Sequence, residues 1–288
     1  MHRKILTIAL AAVIGAGLAA VQALTQQQPR PALEIAKVKD DLYNIVGNGG
    51  NVAVLVTNEG VLLIDDKFEQ DHDQIIAKVK SVTNQPIKYV INTHYHEDHS
   101  GGNGKMFPGG VEIISTANSR KNILEHKQSN ASPNVMPARI TFTEETSVFL
   151  GGKEVRARYF GRGHTNGDAV IYFPADRTVH TGDLMAGTSP LIDYNGGGSL
   201  IEWSKTLDGV MQQLDFDTVI PGHGNVTNKA GLKTYRDNVE KLRNRVTGLI
   251  REGKTQGDIA KVMTAEYGWA PDSLQQQWSV PGFMKELK

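Results

Sequence analysis

Three imidazoles and the carboxylate of Asp98 fall within the seven residues Thr93-His94-Tyr95-His96-Glu97-Asp98-His99. Neutral imidazole and carboxylate are nitrogen and oxygen ligands that Zn²⁺ accepts and that also suit Fe and Mn. A run of solvated loop histidines is the plain alternative; this density, directly after a strand, argues for a metal site. The preceding stretch Pro86-Ile87-Lys88-Tyr89-Val90-Ile91-Asn92 is rich in β-branched and aromatic residues and reads as that strand. If extended backbone continues through Tyr95, His94 and His96 project to one side, since strand side chains repeat every two residues. Asp98 and His99 follow with a change of direction into Ser100-Gly101-Gly102-Asn103-Gly104, so they can address a neighbouring point and a second metal.

The pattern His94-Tyr95-His96-Glu97-Asp98-His99 resembles the signature of the metallo-β-lactamase superfamily, which includes glyoxalase II, metallo-β-lactamases, persulfide dioxygenases, flavodiiron proteins and nucleases. Further motifs resembling those of the family follow in order: Gly161-Arg162-Gly163-His164-Thr165-Asn166-Gly167-Asp168, then His180-Thr181-Gly182-Asp183, then Pro221-Gly222-His223-Gly224. The resemblance implies that His94, His96 and His164 hold one metal, that Asp98, His99 and His223 hold another, and that Asp183 bridges them. It also implies that Asp65, at the end of the apolar run Val61-Leu62-Leu63-Ile64, orients ligands from behind; a solvated strand end is the alternative for that residue. The implied fold is an α/β, four-layer αββα sandwich with the metals at one edge.

The elements that must position these residues can be read along the chain. Met1-His2-Arg3-Lys4 and the apolar stretch after it, ending in Val21-Gln22-Ala23, read as a secretory signal peptide over 1–23, with an uncleaved anchor helix as the alternative. A Gln- and Pro-rich linker over 24–32 leads into the expected catalytic domain, 33–226, and a helical extension, 227–288, expected to pack on the same domain. The roughly 260 residues beyond the leader suffice for one large core. Four strands separated by turns, from Leu33 to Asp65, predict an antiparallel meander. Helical spacing over 70–82 and 116–128 and strands at 86–92 and 111–114 predict helices on a sheet. Two prolines break up 129–139, either a flap over the site or a plain connection. Strand patterns return between Ile140 and Thr181, and the loop 184–199 offers a second place for substrate contact. Helices are expected over 201–214, 228–251 and 255–266, the last capped by Thr255 with Asp258. Trp269, Trp278 and Phe283 read as aromatics docked on the core.

Lys plus Arg equals Asp plus Glu at 31 each. No basic stripe suggests nucleic acid as a partner, which disfavours a nuclease. There is no cysteine, which excludes disulfides and a lipid-modified anchor and is compatible with export to the periplasm or medium.

Two zinc ions, with Fe or Mn as other candidates, would lower the pKa of a bound water from about 15.7 toward about 7 and present hydroxide to an electrophile. Asp98 would bind metal and orient that water. The expected activity is hydrolysis of a small-molecule ester, thioester, lactone or amide, with β-lactams as one candidate. Asp183 stands where many metallo-β-lactamases have cysteine or serine, and Leu184-Met185-Ala186-Gly187 lacks a lysine that would grip an antibiotic's carboxylate, so the site resembles the aspartate-bridged, glyoxalase II-like hydrolases. Two alternatives stay open at this point: a mono-iron oxidoreductase like persulfide dioxygenase, using His94, His164 and Asp183, and a non-catalytic periplasmic metal-binding relay protein. A flavodiiron role is disfavoured, because His96 occupies a glutamate position of that branch.

Overall fold

The computed structural model describes residues 32–128, 131–132 and 135–288. The expected signal peptide and all but Ala32 of the expected linker lie outside them. Among the described residues thirteen strands form two sheets. The first contains β1 (Glu34–Lys37), β2 (Leu42–Val46), β3 (Val52–Val56), β4 (Val61–Ile64), β5 (Ile87–Ile91), β6 (Glu112–Thr116) and β7 (Ile140–Phe142), side by side in chain order. The expected meander is there in β1 to β4, all antiparallel; from β4 to β7 the pairing is parallel. The helices α1 (His72–Lys80) and α4 (Ala117–Leu124) carry the chain between parallel neighbours, with the single turns α2 (Glu97–Ser100) and α3 (Asn103–Met106) following β5. The second sheet runs β8 (Glu145–Leu150), β9 (Lys153–Tyr159), β10 (Ala169–Phe173), β11 (Thr178–His180), β12 (Thr218–Ile220) and β13 (Thr227–Asn228), with β11 and β12 parallel. The helices α5 (Leu200–Gln213), α6 (Lys229–Arg251), α7 (Gln256–Tyr267) and α8 (Val280–Glu286) complete the chain.

Period-two patterning explains the layers. Ala53, Leu55, Leu62 and Ile64 of the first sheet meet Ala157, Ala169, Ile171 and Phe173 of the second in a dry inter-sheet core. The alternate residues Val52, Val54, Val61 and Leu63 face Ile75 and Val79 of α1. On the other side Val170 and Val179 face Trp203 and Leu207 of α5, Leu232 and Val239 of α6 and Phe283 of α8. Both faces of the central strands are therefore buried, which is why they read as unbroken apolar runs. Two sheets face to face with helices outside make the four-layer αββα sandwich that the resemblance implied.

Several boundaries shift for identifiable reasons. The helix expected to reach residue 128 stops at Leu124, because His126 adopts a left-handed φ of 50°. The two-residue strand β13 is too short to carry a periodic signal. The capping box at Thr255 and Asp258 is present, with the helix running to Tyr267. Of the segment 129–139, read as either a flap or a plain connection, the described Met136 is held through its carbonyl, which accepts from Asn103 Nδ2 at 2.8 Å, and just before the segment Gln128 Oε1 accepts from Glu97 N at 2.7 Å.

Candidate metal centre

The parallel strands β4 and β5 of the first sheet, and β11 and β12 of the second, end at the same edge, where open α/β sheets place their ligand sites. His94 follows β5, Asp183 follows β11, His223 follows β12, and His164 lies between β9 and β10. The structure thus brings all seven sequence-predicted ligand residues together. Backbone bends at Thr93–Tyr95 in place of extended chain, and His94 and His96 converge through different ring atoms: His94 Nε2 lies 3.1 Å from His96 Nδ1, with His164 Nε2 2.9 Å from the same atom. The turn α2 aims the next pair elsewhere, so that His99 Nε2 is 3.3 Å from His223 Nε2 and His223 Nε2 is 3.1 Å from Asp98 Oδ2. Asp183 spans both groups, with Oδ2 3.6 Å from His164 Nε2 and Oδ1 3.2 Å from His99 Nε2.

The outer hydrogen bonds decide which nitrogen of each ring carries the proton. The Leu191 carbonyl accepts from His164 Nδ1 at 2.6 Å, and the Asp193 carboxylate accepts from His96 Nε2 at 2.9 Å. Thr93 Oγ1 donates to Asp65 Oδ2 at 2.8 Å and so accepts from His94 Nδ1 at 3.1 Å. These acceptors leave the inner nitrogens of His94, His96 and His164 as three lone pairs, with His96 Nδ1 3.1 Å from the first and 2.9 Å from the last, an arrangement that is repulsive until a cation sits among them. A second sign is Asp183 Oδ1, buried and without a hydrogen bond. Candidate ligand atoms fall into three overlapping groups, His94/His96/His164, His94/His99/Asp183 and Asp98/His99/His223, each confined within 4.8 Å. Nitrogen and carboxylate donors so arranged fit divalent zinc and, by donor type, iron or manganese.

Electrostatics divide the groups. Burial, reinforced by the neighbouring His99, holds His94 well below its ordinary value. Burial and the nearby His96 bring His164 down to about 4. His99 is driven the other way: burial opposes charge, yet the carboxylates of Asp98, Asp183 and Asp65 hold it well above the usual imidazole range. Asp183 likewise raises His223 to about 9. Against their own burial, Asp183 is held well below, and Asp98 at about 2, by the His99 and His223 imidazoles.

Asp65 is buried, and its Oδ2 accepts from His99 Nδ1 at 2.7 Å while its Oδ1 accepts from Thr93 N at 2.7 Å. Two further residues escaped sequence reasoning. Asp193 lies in the loop expected to be a flexible substrate contact; besides His96 it accepts from Tyr95 Oη and from Gly196 N, and its own N–H donates to the His164 carbonyl, so this stretch is fixed. Asn51, read as part of a turn, clamps the His223 loop by donating to the carbonyls of Pro221 and Gly224, both at 2.9 Å. The only sequence cue for either was a lone Asp or Asn in a glycine-rich loop. Glycine is required at Gly50 and Gly222, where a Cβ would lie 2.2 Å from His99 Cε1 and 2.0 Å from Asp183 Oδ1. Trp269 and Phe283 dock on the core as expected, but Trp278 does not: its ring stands 5.2 Å from that of His96 at the mouth of the site.

A two-sheet αββα sandwich with a histidine- and aspartate-lined edge defines a class of metal-dependent hydrolases. The model of the metallo-beta-lactamase superfamily matches residues 45–223, and the chain belongs to that family; it is an enzyme of the zinc-dependent hydrolase class built on this fold. Among curated relatives, a "Metallo-beta-lactamase type 2" of Elizabethkingia meningoseptica is 28% identical over 228 residues, covering 74% of this chain and 86% of the relative. One of the same name from Bacillus cereus is 27% identical over 179 residues, covering 61% and 67%. Solved structures share the fold: a metallo-beta-lactamase from Pontibacter korlensis has a TM-score of 0.63 at 21% identity, covering 72% of this chain and 99% of its own. The FIM-1 enzyme of Pseudomonas aeruginosa, in a mono-zinc form, has a TM-score of 0.64 at 19% identity, covering 74% and 96%. Among the described residues no helix is long and apolar enough to cross a membrane.

Proposed function

We propose that this chain is a dinuclear metallohydrolase that cleaves a small ester, thioester, lactone or amide. The observation that carries the reading is Asp183, whose two oxygens face separate ligand groups, Oδ2 toward His164 and Oδ1 toward His99 and His223. His94, His96 and His164 would hold one ion and Asp98, His99 and His223 the other, with Asp183 between. Divalent ions held there supply hydroxide at neutral pH and polarise the scissile carbonyl. Asp98, kept ionised beside His99 and His223 and lining the cleft, would bind metal and orient the attacking water. Asp65, Thr93 and Asp193 keep the imidazoles in the tautomers that present lone pairs inward. The names of the curated relatives support a metal ion and keep β-lactam amides among the candidate substrates. Export is supported by the basic and apolar start of the sequence.

The test is elemental analysis of the purified protein, paired with a chromogenic panel of esters, thioesters, lactones and β-lactams. Two zinc ions per chain with turnover is the expected result. One iron per chain with oxygen uptake and no hydrolysis would replace this reading with the mono-iron oxidoreductase. A fully metallated protein that turns over nothing would replace it with a binding role.

A further inference from the structure

The cleft that opens on Asp98, Asp183 and His223 has a volume of about 480 Å³. Phe68, Leu191, Leu274 and Trp278 give it an apolar wall, with neutral amides from Gln128 and Gln275, and no lysine or arginine is among the described residues lining it. Leu274 is 48% exposed, a large apolar side chain left in contact with water at the entrance. A second cavity of about 450 Å³ shares Trp278 and Gln128 as lining and contains Lys127 and Lys285. The indole and the Gln128 amide are thus the partition between the cleft and these ammonium groups.

The local fold explains why Trp278 faces outward. Residues Gln275–Ser279 form a π-helical turn leading into α8. Pro281 has no N–H to donate to the carbonyl four residues earlier, so the preceding turn widens. Gln276 and Ser279 point inward: Gln276 Nε2 donates to the Ala260 carbonyl at 2.8 Å, and Ser279 Oγ accepts from Ile192 N at 3.0 Å. With the segment anchored on its inner face, Leu274 and Trp278 project over the site. Leu274 and Trp278 lie outside the residues matched by the family model, 45–223, whereas Phe68, Leu191 and all seven ligand residues lie inside them.

We propose that Leu274 and Trp278 are specificity-determining residues that select an uncharged substrate with an aryl or alkyl group and select against one carrying a carboxylate. This rests on the hydrolase reading for the bond cleaved, though not for what the wall binds. An aromatic or alkyl group gains from leaving water against this surface. A substrate carboxylate would give up its hydration for apolar side chains and neutral amides. Penicillin- and cephalosporin-type β-lactams carry such a carboxylate, so they are poor substrates of this site.

The test uses the metal-loaded full chain and a matched pair, p-nitrophenyl butyrate and p-nitrophenyl hemisuccinate. The neutral ester is expected to have a kcat/KM at least about tenfold higher, a margin worth about 1.4 kcal/mol. Trp278→Ala should raise KM for the neutral ester about tenfold with kcat within about threefold, and should narrow the preference by joining the cleft to the lysine-lined cavity. Leu274→Lys, at an exposed position that does not endanger the fold, should shift the preference toward the anionic ester by about tenfold. Equal or reversed preference in the wild type, or an unmoved preference in Leu274→Lys, overturns the proposal. Calorimetry with 4-phenylbutan-2-one, a neutral ketone with no bond to hydrolyse, gives a reading independent of turnover. It should bind the wild type and bind Leu274→Lys and Trp278→Ala more weakly. Binding without hydrolysis of any ester would sink the proposed reaction and leave the apolar wall standing, and absent or unchanged binding sinks the wall itself.

Discussion

His94, His96 and His164 are buried, and each turns a nitrogen inward while a fixed partner holds the other; in the second group His99 is buried as well, but Asp98 and His223 line the cleft, with the His223 side chain 35% exposed and set against the carboxylates of Asp98 and Asp183. The first group is preorganised and, without a cation, set against itself. The second already holds contacts of its own, His99 and His223 beside the carboxylates of Asp98 and Asp183, and on the two-metal reading an entering cation would compete with them. Seven candidate ligands in one cleft need not be equivalent: on the proposed two-metal reading, the histidine triad is expected to be the tighter site, and the mixed group the place where metal exchanges and substrate is met.

Substitutions can break or sharpen this contrast. His96→Ala removes the nitrogen central to the triad and should cost more than about 100-fold in kcat/KM, since losing a ligand exceeds losing the partner that orients it; elemental analysis should show less than the wild-type metal, and unchanged metal content would erase the distinction between the groups. Asp98→Ala should empty the mixed group alone, lowering hydrolysis about 10- to 100-fold while the triad keeps its ion and circular dichroism stays unchanged. Retention of both ions and full activity in that variant would end the dinuclear mechanism. Asp193→Asn keeps the shape but weakens the hold on His96, and competition with a chelator should show about tenfold weaker binding at the triad only.

The smallest effect concerns Asp168, which accepts from Thr165 N at 2.8 Å and from Thr165 Oγ1 and so shapes the loop that carries His164. Burial pushes its carboxyl up to about 8 against those hydrogen bonds, while the unfolded chain ionises near about 3.9. Between these values the folded protein binds a proton that the unfolded chain has lost. Its stabilising contribution is therefore complete below about pH 4 and declines toward about pH 8, by up to about 1.4 kcal/mol per pH unit. In metal-free protein, unfolding free energy plotted from pH 5 to 8 should fall less steeply in Asp168→Asn than in the wild type. Parallel slopes would show that Asp168 is ionised in the fold.

Much of the centre was legible because its chemistry is written in residue types: His94, His96, Asp98 and His99 are near neighbours in sequence, and His164, Asp183 and His223 sit in glycine-bearing loops after apolar runs. The layers were legible for a similar reason, since period-two runs announce strands. Asp193 and Asn51 were not, because each acts on a ligand more than ninety positions away, His96 and the His223 loop, through contacts that exist only once the sheets have docked. Asp65 stood undecided in the sequence, a carboxylate at a strand end, until the His99 ring was seen against it. Trp278 misled because an aromatic in an amphipathic tail is usually buried; the widened turn before Pro281 rotated it to the cleft instead.

The ligand set draws from both sheets, His94 through His99 from the first and His164, Asp183 and His223 from the second, and Asn51 adds a direct link by donating its N–H to the Gly222 carbonyl at 2.7 Å. An ion bound here would therefore act as a clasp. It would fasten two sheets that already share an apolar interface and hydrogen bonds such as that from Ala169 N to the Thr93 carbonyl at 2.7 Å, and, by binding only the docked state, it would stabilise that state by mass action. In a chain without a single cysteine, no disulfide can do this work; a chelator would undo such a clasp and a fresh ion would restore it.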